Sequence, residues 1–218
     1  MIHERSAIDT ERISRVISMP KILGLLFAAF VISTVLSDSA VAQSKVAILM
    51  PGAGGAVPID FLVRNQGRIG GPGVSVIVTT SSSEAASISL SEAAKGRKVI
   101  LVGMSRGTVD VANAISAGAK VDGVVLVSGA YDNVRSRLGS PASLPRALIV
   151  HHRADGCHVT PPTAVDPFVA WSGGKASVRW ISNQGSPVPN PCGPRGAHGF
   201  YMQDGAAVSA INGFIQSR

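Results

Sequence analysis

One stretch limits what this chain can fold into more than any other: Lys98 to Gly107, KVILVGMSRG. The β-branched run Val99-Ile100-Leu101-Val102 reads as a buried strand, and the small-residue segment Thr108 to Gly118 that follows at once has helical character. Between them stands Gly103-Met104-Ser105-Arg106-Gly107, a G-x-S-x-G pentapeptide in a strand-to-helix context. Glycine is demanded on both sides because a serine held on so sharp a turn leaves no room for neighbouring side chains. Ser105 then sits at the carboxyl end of a central strand and the amino end of a helix, where backbone N–H groups face developing negative charge. It is the candidate nucleophile.

The remaining chain repeats this unit. Val46–Met50 is a first strand, closed by Pro51-Gly52-Ala53-Gly54-Gly55, with a helix over about Ile59–Gln66. The glycine turn lacks the lysine and hydroxyl of a P-loop and the spacing of a dinucleotide fingerprint; its other candidate role is to aim a backbone N–H at an oxyanion. Val74–Thr79 is a strand, and Ser82 or Ser83 caps a helix with apolar positions Ala85, Ile88, Leu90 and Ala93. Strands Val121–Ser128, Ala147–His151 and Ala176–Ile181 follow, with a helix from Pro161-Pro162 to about Trp171 and a last one near Ala206–Gln216. Alternation of this kind predicts an α/β fold, a mainly parallel sheet with helices on both faces, whose functional groups gather at the strands' carboxyl ends.

Residues 1–42 read as an export signal and 43–218 as one domain. Lys21 precedes the apolar run Ile22–Leu36, and the small-x-small end Ala40-Val41-Ala42 predicts cleavage before Gln43. The run is short for a membrane span and Asp38 stops its extension, so no stable anchor is expected after cleavage; translation from Met19 is an alternative start. With no cysteine at the expected cleavage site and no twin arginine, the expected address is periplasmic or secreted. The leader carries equal numbers of basic and acidic residues, so the net charge of +7 belongs to the mature chain. Its basic residues are scattered singly and only two Trp and two Tyr are present to stack on bases, which argues against nucleic-acid binding. The oligomeric state is not legible. Cys157 and Cys192 are the only cysteines, and an oxidising compartment predicts a disulfide between them, with a metal pair or two free thiols as the competing readings.

A serine needs a base to take its proton and a third group to fix that base's tautomer. His198, in Gly196-Ala197-His198-Gly199-Phe200, lies between the last strand and the last helix, and Asp155 lies just beyond the preceding strand. The order Ser105, Asp155, His198 is the one this pentapeptide calls for. Asp132 is the rival acid, also placed after a strand. A Cys157–Cys192 bridge, with Cα atoms about 5 to 6 Å apart, draws the Asp155 and His198 segments together and favours Asp155. His151, His152, Asp155, Cys157 and His158 form a cluster that can be read as metal ligands, but adjacent strand histidines face opposite ways and no H-E-x-x-H or C-x-x-C pattern accompanies them. No metal and no cofactor is expected.

On these pieces, Pro51-Gly52-Ala53, Gly103–Gly107, Asp155 and His198-Gly199-Phe200, the chain over residues 45–218 resembles a compact, lidless member of the α/β-hydrolase superfamily with reduced N-terminal strands. The resemblance implies an oxyanion hole from the backbone N–H groups of Ala53 and Arg106, and hydrolysis of a small-molecule acyl substrate, most readily an ester, through an acyl-enzyme. Pro51 stands where many relatives carry histidine. Only Tyr131–Pro145 is available for a cap, and Arg106, Arg153 and Arg195 are candidate contacts for an acidic substrate. The alternatives are a non-catalytic secreted binding protein on the same fold, and a peptidase or acyltransferase using the same three residues.

Overall fold

The computed structural model describes residues 44–182 and 188–218. The expected export signal, its cleavage site and the alternative start at Met19 lie outside the described residues.

Among the described residues six strands form one sheet: β1 (Lys45–Met50), β2 (Val74–Val78), β3 (Lys98–Met104), β4 (Gly123–Val127), β5 (Ala147–His152) and β6 (Ala176–Ile181). The order is β2-β1-β3-β4-β5-β6 and every neighbouring pair is parallel, so the sheet is wholly rather than mainly parallel. Strands buried on both faces need apolar residues at every position, and period 2 sorts them into two layers. Val46, Ile48, Met50, Val99 and Leu101 face one core, with side chains from α2 (Ser82–Ala94), α3 (Arg106–Ser116), α4 (Tyr131–Leu138) and α5 (Val165–Trp171). Ala47, Leu49, Ile100, Val102 and Met104 face the other, with α1 (Phe61–Arg64) and α6 (Asp204–Gln216).

Strand order reverses at β1, which lies between β2 and β3. Met50 is in register with Gly103, so the turn after β1 and the turn after β3 emerge side by side. That is the switch point where open parallel sheets place their crevice.

Local chemistry shifts several expected boundaries. The helix expected over Ile59–Gln66 is only Phe61–Arg64; Asp60 caps it, its Oδ1 accepting from Leu62 N–H at 2.8 Å. Helix α2 is capped by Ser81, not Ser82 or Ser83, because Ser81 keeps extended backbone while its hydroxyl accepts from Glu84 N–H. Leu90, expected on the apolar face of α2, is half exposed. The segment after β4, weighed from sequence only as the place for a cap, holds helix α4, which buries Tyr131, Val134 and Leu138 at i, i+3 and i+7.

Candidate active site

Ser105 stands between β3 and α3 at φ 52°, and Ser128, Phe200 and Met202 are the other non-glycine residues with positive φ among the described residues. A Cβ at position 103 would lie 2.5 Å from the Gly107 carbonyl oxygen, and one at 107 would lie 1.9 Å from that of Met50. Both positions therefore take glycine, for close backbone packing at ordinary φ. The turn is pinned from below: Ser105 N–H donates to the Val127 carbonyl at 2.8 Å, and the Thr108 hydroxyl donates to the Ser105 carbonyl at 2.6 Å while accepting from Ala130 N–H at 3.1 Å.

Beside it runs the glycine turn after β1. A Cβ on Gly52 would be 3.6 Å from that of Ser105, so the two turns touch. Gly52 N–H donates to Asp60 Oδ2 at 3.0 Å, which makes the cap of α1 also the brace of the turn. Among the described residues, the N–H groups of Ala53 and Arg106 have no backbone or side-chain acceptor. Sequence reasoning did not assign Asp60; an Asp directly before a short apolar helix was the available signal.

His198 comes in on a 3-10 turn, Ala197–Gly199, held on several sides. Its carbonyl accepts from the Ser128 hydroxyl at 2.9 Å, and the Gly199 carbonyl accepts from Arg64 at 2.6 Å. Phe200, at φ 53°, is fully buried with its ring centroid 5.1 Å from that of Phe61. Arg64 also pairs with Asp204 at 2.7 Å, joining α1 to the start of α6.

Asp155 lies in the segment after β5, with its side chain fully enclosed. His198 Nδ1 sits 2.9 Å from Asp155 Oδ2, and the Cys157 N–H donates to Oδ1 at 2.9 Å. The Thr160 hydroxyl lies 3.3 Å from Oδ2 and 3.1 Å from His198 Nδ1, bridging the pair. His151 Nε2 stands 3.4 Å from the same Oδ2. Burial pushes the carboxyl group up, but the polar contacts of His151 and His198, the charge of His198 and the hydrogen bond from the Cys157 N–H outweigh it and bring Asp155 to about 2. Cys157 and Cys192 are joined, with Cα atoms 4.4 Å apart, linking the Asp155 segment to the one before His198.

The rival acid is elsewhere. Asp132 is on α4, with a side chain 77 % exposed and 3.5 Å from Arg135. The two adjacent strand histidines diverge as the pleat requires: His151 meets the Tyr131 hydroxyl at 2.8 Å, whereas His152 bonds Gln203 at 2.9 Å and accepts from Ala154 N–H at 3.0 Å. Among the described residues no group of three or more His, Cys, Asp or Glu is placed to hold a metal ion. Arg153 lies over the Trp180 ring at 4.6 Å and does not line the cavity, and Arg195 is exposed; Arg106 does line it. Thr160 and His151 were not assigned from sequence, since no local pattern marks residues that meet only through tertiary packing.

Ser105 and His198 open on one cavity of about 390 Å3, with Gly52, Ala53 and Arg106 on its wall beside the Cys157–Cys192 bridge. Its apolar side is built from Val57, Phe61, Met104, Val109, Val159 and Pro194. The arrangement sets a hydroxyl on a strained turn and an imidazole oriented by a buried carboxylate on the wall of one cavity, next to two unengaged backbone donors.

The chain carries the α/β-hydrolase fold. A CIB-like hydrolase from Thermoplasma acidophilum superposes over 84% of this chain and 90% of its own, with a TM-score of 0.54 at 16% identity. An α/β serine hydrolase homologue from Coxiella burnetii does so over 80% and 86%, with a TM-score of 0.56 at 15% identity. An esterase from Exiguobacterium antarcticum matches over 80% and 93%, with a TM-score of 0.52 at 11% identity. No protein-family model matches the chain, and no curated protein does.

Proposed function

We propose that this α/β-hydrolase-fold chain is a serine hydrolase of carboxylic esters, exported to an oxidising compartment. The observation that carries the reading is the 2.9 Å contact between His198 Nδ1 and buried Asp155, at the cavity that Ser105 lines from its strained turn. The solved hydrolases and the esterase of the same fold support it, and the disulfide supports the address.

In the proposed reaction, Ser105 Oγ attacks the acyl carbon as His198 Nε2 takes its proton. The carbonyl π pair moves onto the oxygen, which the Ala53 and Arg106 N–H groups receive. Collapse breaks the bond to the leaving oxygen, which takes the proton from His198. Water then repeats the sequence, releasing the acid and restoring the Ser105 hydroxyl. Asp155 stays ionised throughout and steadies the imidazolium. An alkoxide leaves with less help than an amide nitrogen, which favours an ester, and the apolar wall of the cavity suits an uncharged acyl group.

Turnover of a panel of short and long acyl esters and peptides by the wild type and Ser105→Ala tests this. Ester cleavage in the wild type, lost about a thousandfold or more in the variant, is expected. Unchanged turnover in Ser105→Ala would end the assignment.

A further inference from the structure

Behind the acid lies a second buried histidine that the reaction above does not use. His151, on β5, and Tyr131, at the start of α4, are both buried, and the Tyr131 hydroxyl lies 2.8 Å from His151 Nδ1. Gly129 makes room for this: a Cβ there would meet the Tyr131 ring at 2.7 Å. The His151 ring is held by Tyr131, at 5.5 Å between centroids, and by Trp180 of β6, edge-on at 5.9 Å. Its Nε2 is wholly buried with no hydrogen-bond partner, and the atom facing it is Asp155 Oδ2 at 3.4 Å.

The tautomer follows from donor and acceptor bookkeeping. A buried hydroxyl must donate its proton. Among the described residues the side-chain acceptor in reach of Tyr131 is His151 Nδ1. A nitrogen that accepts carries no proton in the neutral ring, so the ring proton is on Nε2. That N–H lies beside the carboxylate oxygen that also faces His198, its nitrogen 3.4 Å from Oδ2.

Resting on the proposed hydrolase reading, we infer that His151 is a positioning residue for Asp155, presenting a neutral Nε2–H, locked by Tyr131, to the same carboxylate oxygen, Oδ2, that His198 meets. The carboxylate is then gripped on both sides: Oδ1 by the Cys157 N–H, and Oδ2 by Thr160, His198 and His151. The grip keeps Oδ2 in line with the His198 ring. It also trims the negative potential His198 feels, because the positive end of the His151 N–H dipole sits beside the same oxygen. The titratable groups facing His151 are Tyr131 from α4 and Asp155 from the segment after β5, with His198 beyond the carboxylate; Trp180 from β6 is neutral, and Arg153 lies over that indole.

Profiles of kcat/KM against pH, measured with a short-chain ester on wild type, His151→Phe, His151→Gln, Tyr131→Phe and Trp180→Phe, test the inference. Without the His151 dipole, Asp155 draws a proton onto His198 more strongly, so the acid limb of His151→Phe moves to higher pH. Its kcat falls about tenfold, the worth of one hydrogen bond to a charged group, while KM holds. His151→Gln, which keeps a donor, lies between, and Tyr131→Phe, which loses only the lock, moves the same way by less. Trp180→Phe, a packing change against the same ring, keeps the wild-type limb. If His151→Phe does not fold, the Gln and Tyr131→Phe profiles decide. Acid limbs coinciding with wild type would overturn the inference. Nitrogen-15 spectra of the wild-type histidines give an arm independent of turnover: a neutral ring protonated on Nε2 at His151 is expected, and protonation on Nδ1 would overturn the inference. A wild type inert to every ester refutes the hydrolase reading instead, while the spectra still decide the His151 contact with Asp155.

Discussion

Replacing both cysteines, Cys157→Ser with Cys192→Ser, cuts a link whose two effects can be measured separately. The bridge joins positions 35 residues apart. Closing a loop of that length in the unfolded chain is worth about 4 kcal/mol by chain entropy. With a urea dependence of about 2 kcal/mol per molar, the unfolding midpoint of the double variant falls by about 2 M. Tryptophan fluorescence from Trp171 and Trp180 follows the transition. The second effect is local. Cys157 supplies the N–H that holds Asp155 Oδ1, and Cys192 lies in the segment leading to His198, so ester turnover falls through kcat where the variant is still folded. Reductant reproduces both effects in the wild type and neither in the double variant. A midpoint within about 0.5 M of wild type would refute the chain-entropy argument. Unchanged kcat in the folded variant would refute the claim that the bridge sets the relation of acid and base.

Three further outcomes follow from the geometry. Gly107→Ala forces a Cβ to 1.9 Å from the Met50 carbonyl oxygen, so its melting temperature drops by an amount equivalent to about 3 kcal/mol or more, without any contact to substrate. Asp155→Asn lowers kcat about ten-thousandfold by permitting the wrong His198 tautomer, whereas Asp132→Asn, exposed on α4, leaves it unchanged. Asp155 ionises at about 2 when folded and near 3.9 when unfolded, so its contribution is complete above about pH 4 and is lost as pH falls towards 2. Urea midpoints between pH 6 and 2 register about 2 to 3 kcal/mol from this group, a part that Asp155→Asn lacks.

The central strands were legible in sequence because a doubly buried strand has to be apolar at every position, as Val99–Val102 and Val124–Val127 are. Ser105 was legible because its turn tolerates glycine alone at 103 and 107, a steric demand written locally. Helix α4 escaped notice: YDNVRSRL is polar, and its three buried residues, Tyr131, Val134 and Leu138, make a narrow stripe that is obvious only once a core faces it. The start of α2 is legible only to within a residue or two, since three successive serines offer equivalent caps until the backbone selects Ser81. Thr160 and His151 have no comparable signal, and Asp60 has only its place before a short apolar helix. Each gains its role from a partner on another segment: Thr160 from His198, His151 from Tyr131, and Asp60 from Gly52.

The account depends on the Ser105 hydroxyl being the group that His198 and Asp155 make reactive. Peptide mass spectrometry of the wild-type chain after treatment with a fluorophosphonate tests that most directly. The prediction is one phosphonyl adduct, on the peptide containing Ser105, formed in step with loss of ester turnover and absent from His198→Ala. An active chain that stays unmodified, or carries the adduct on another residue, would contradict it.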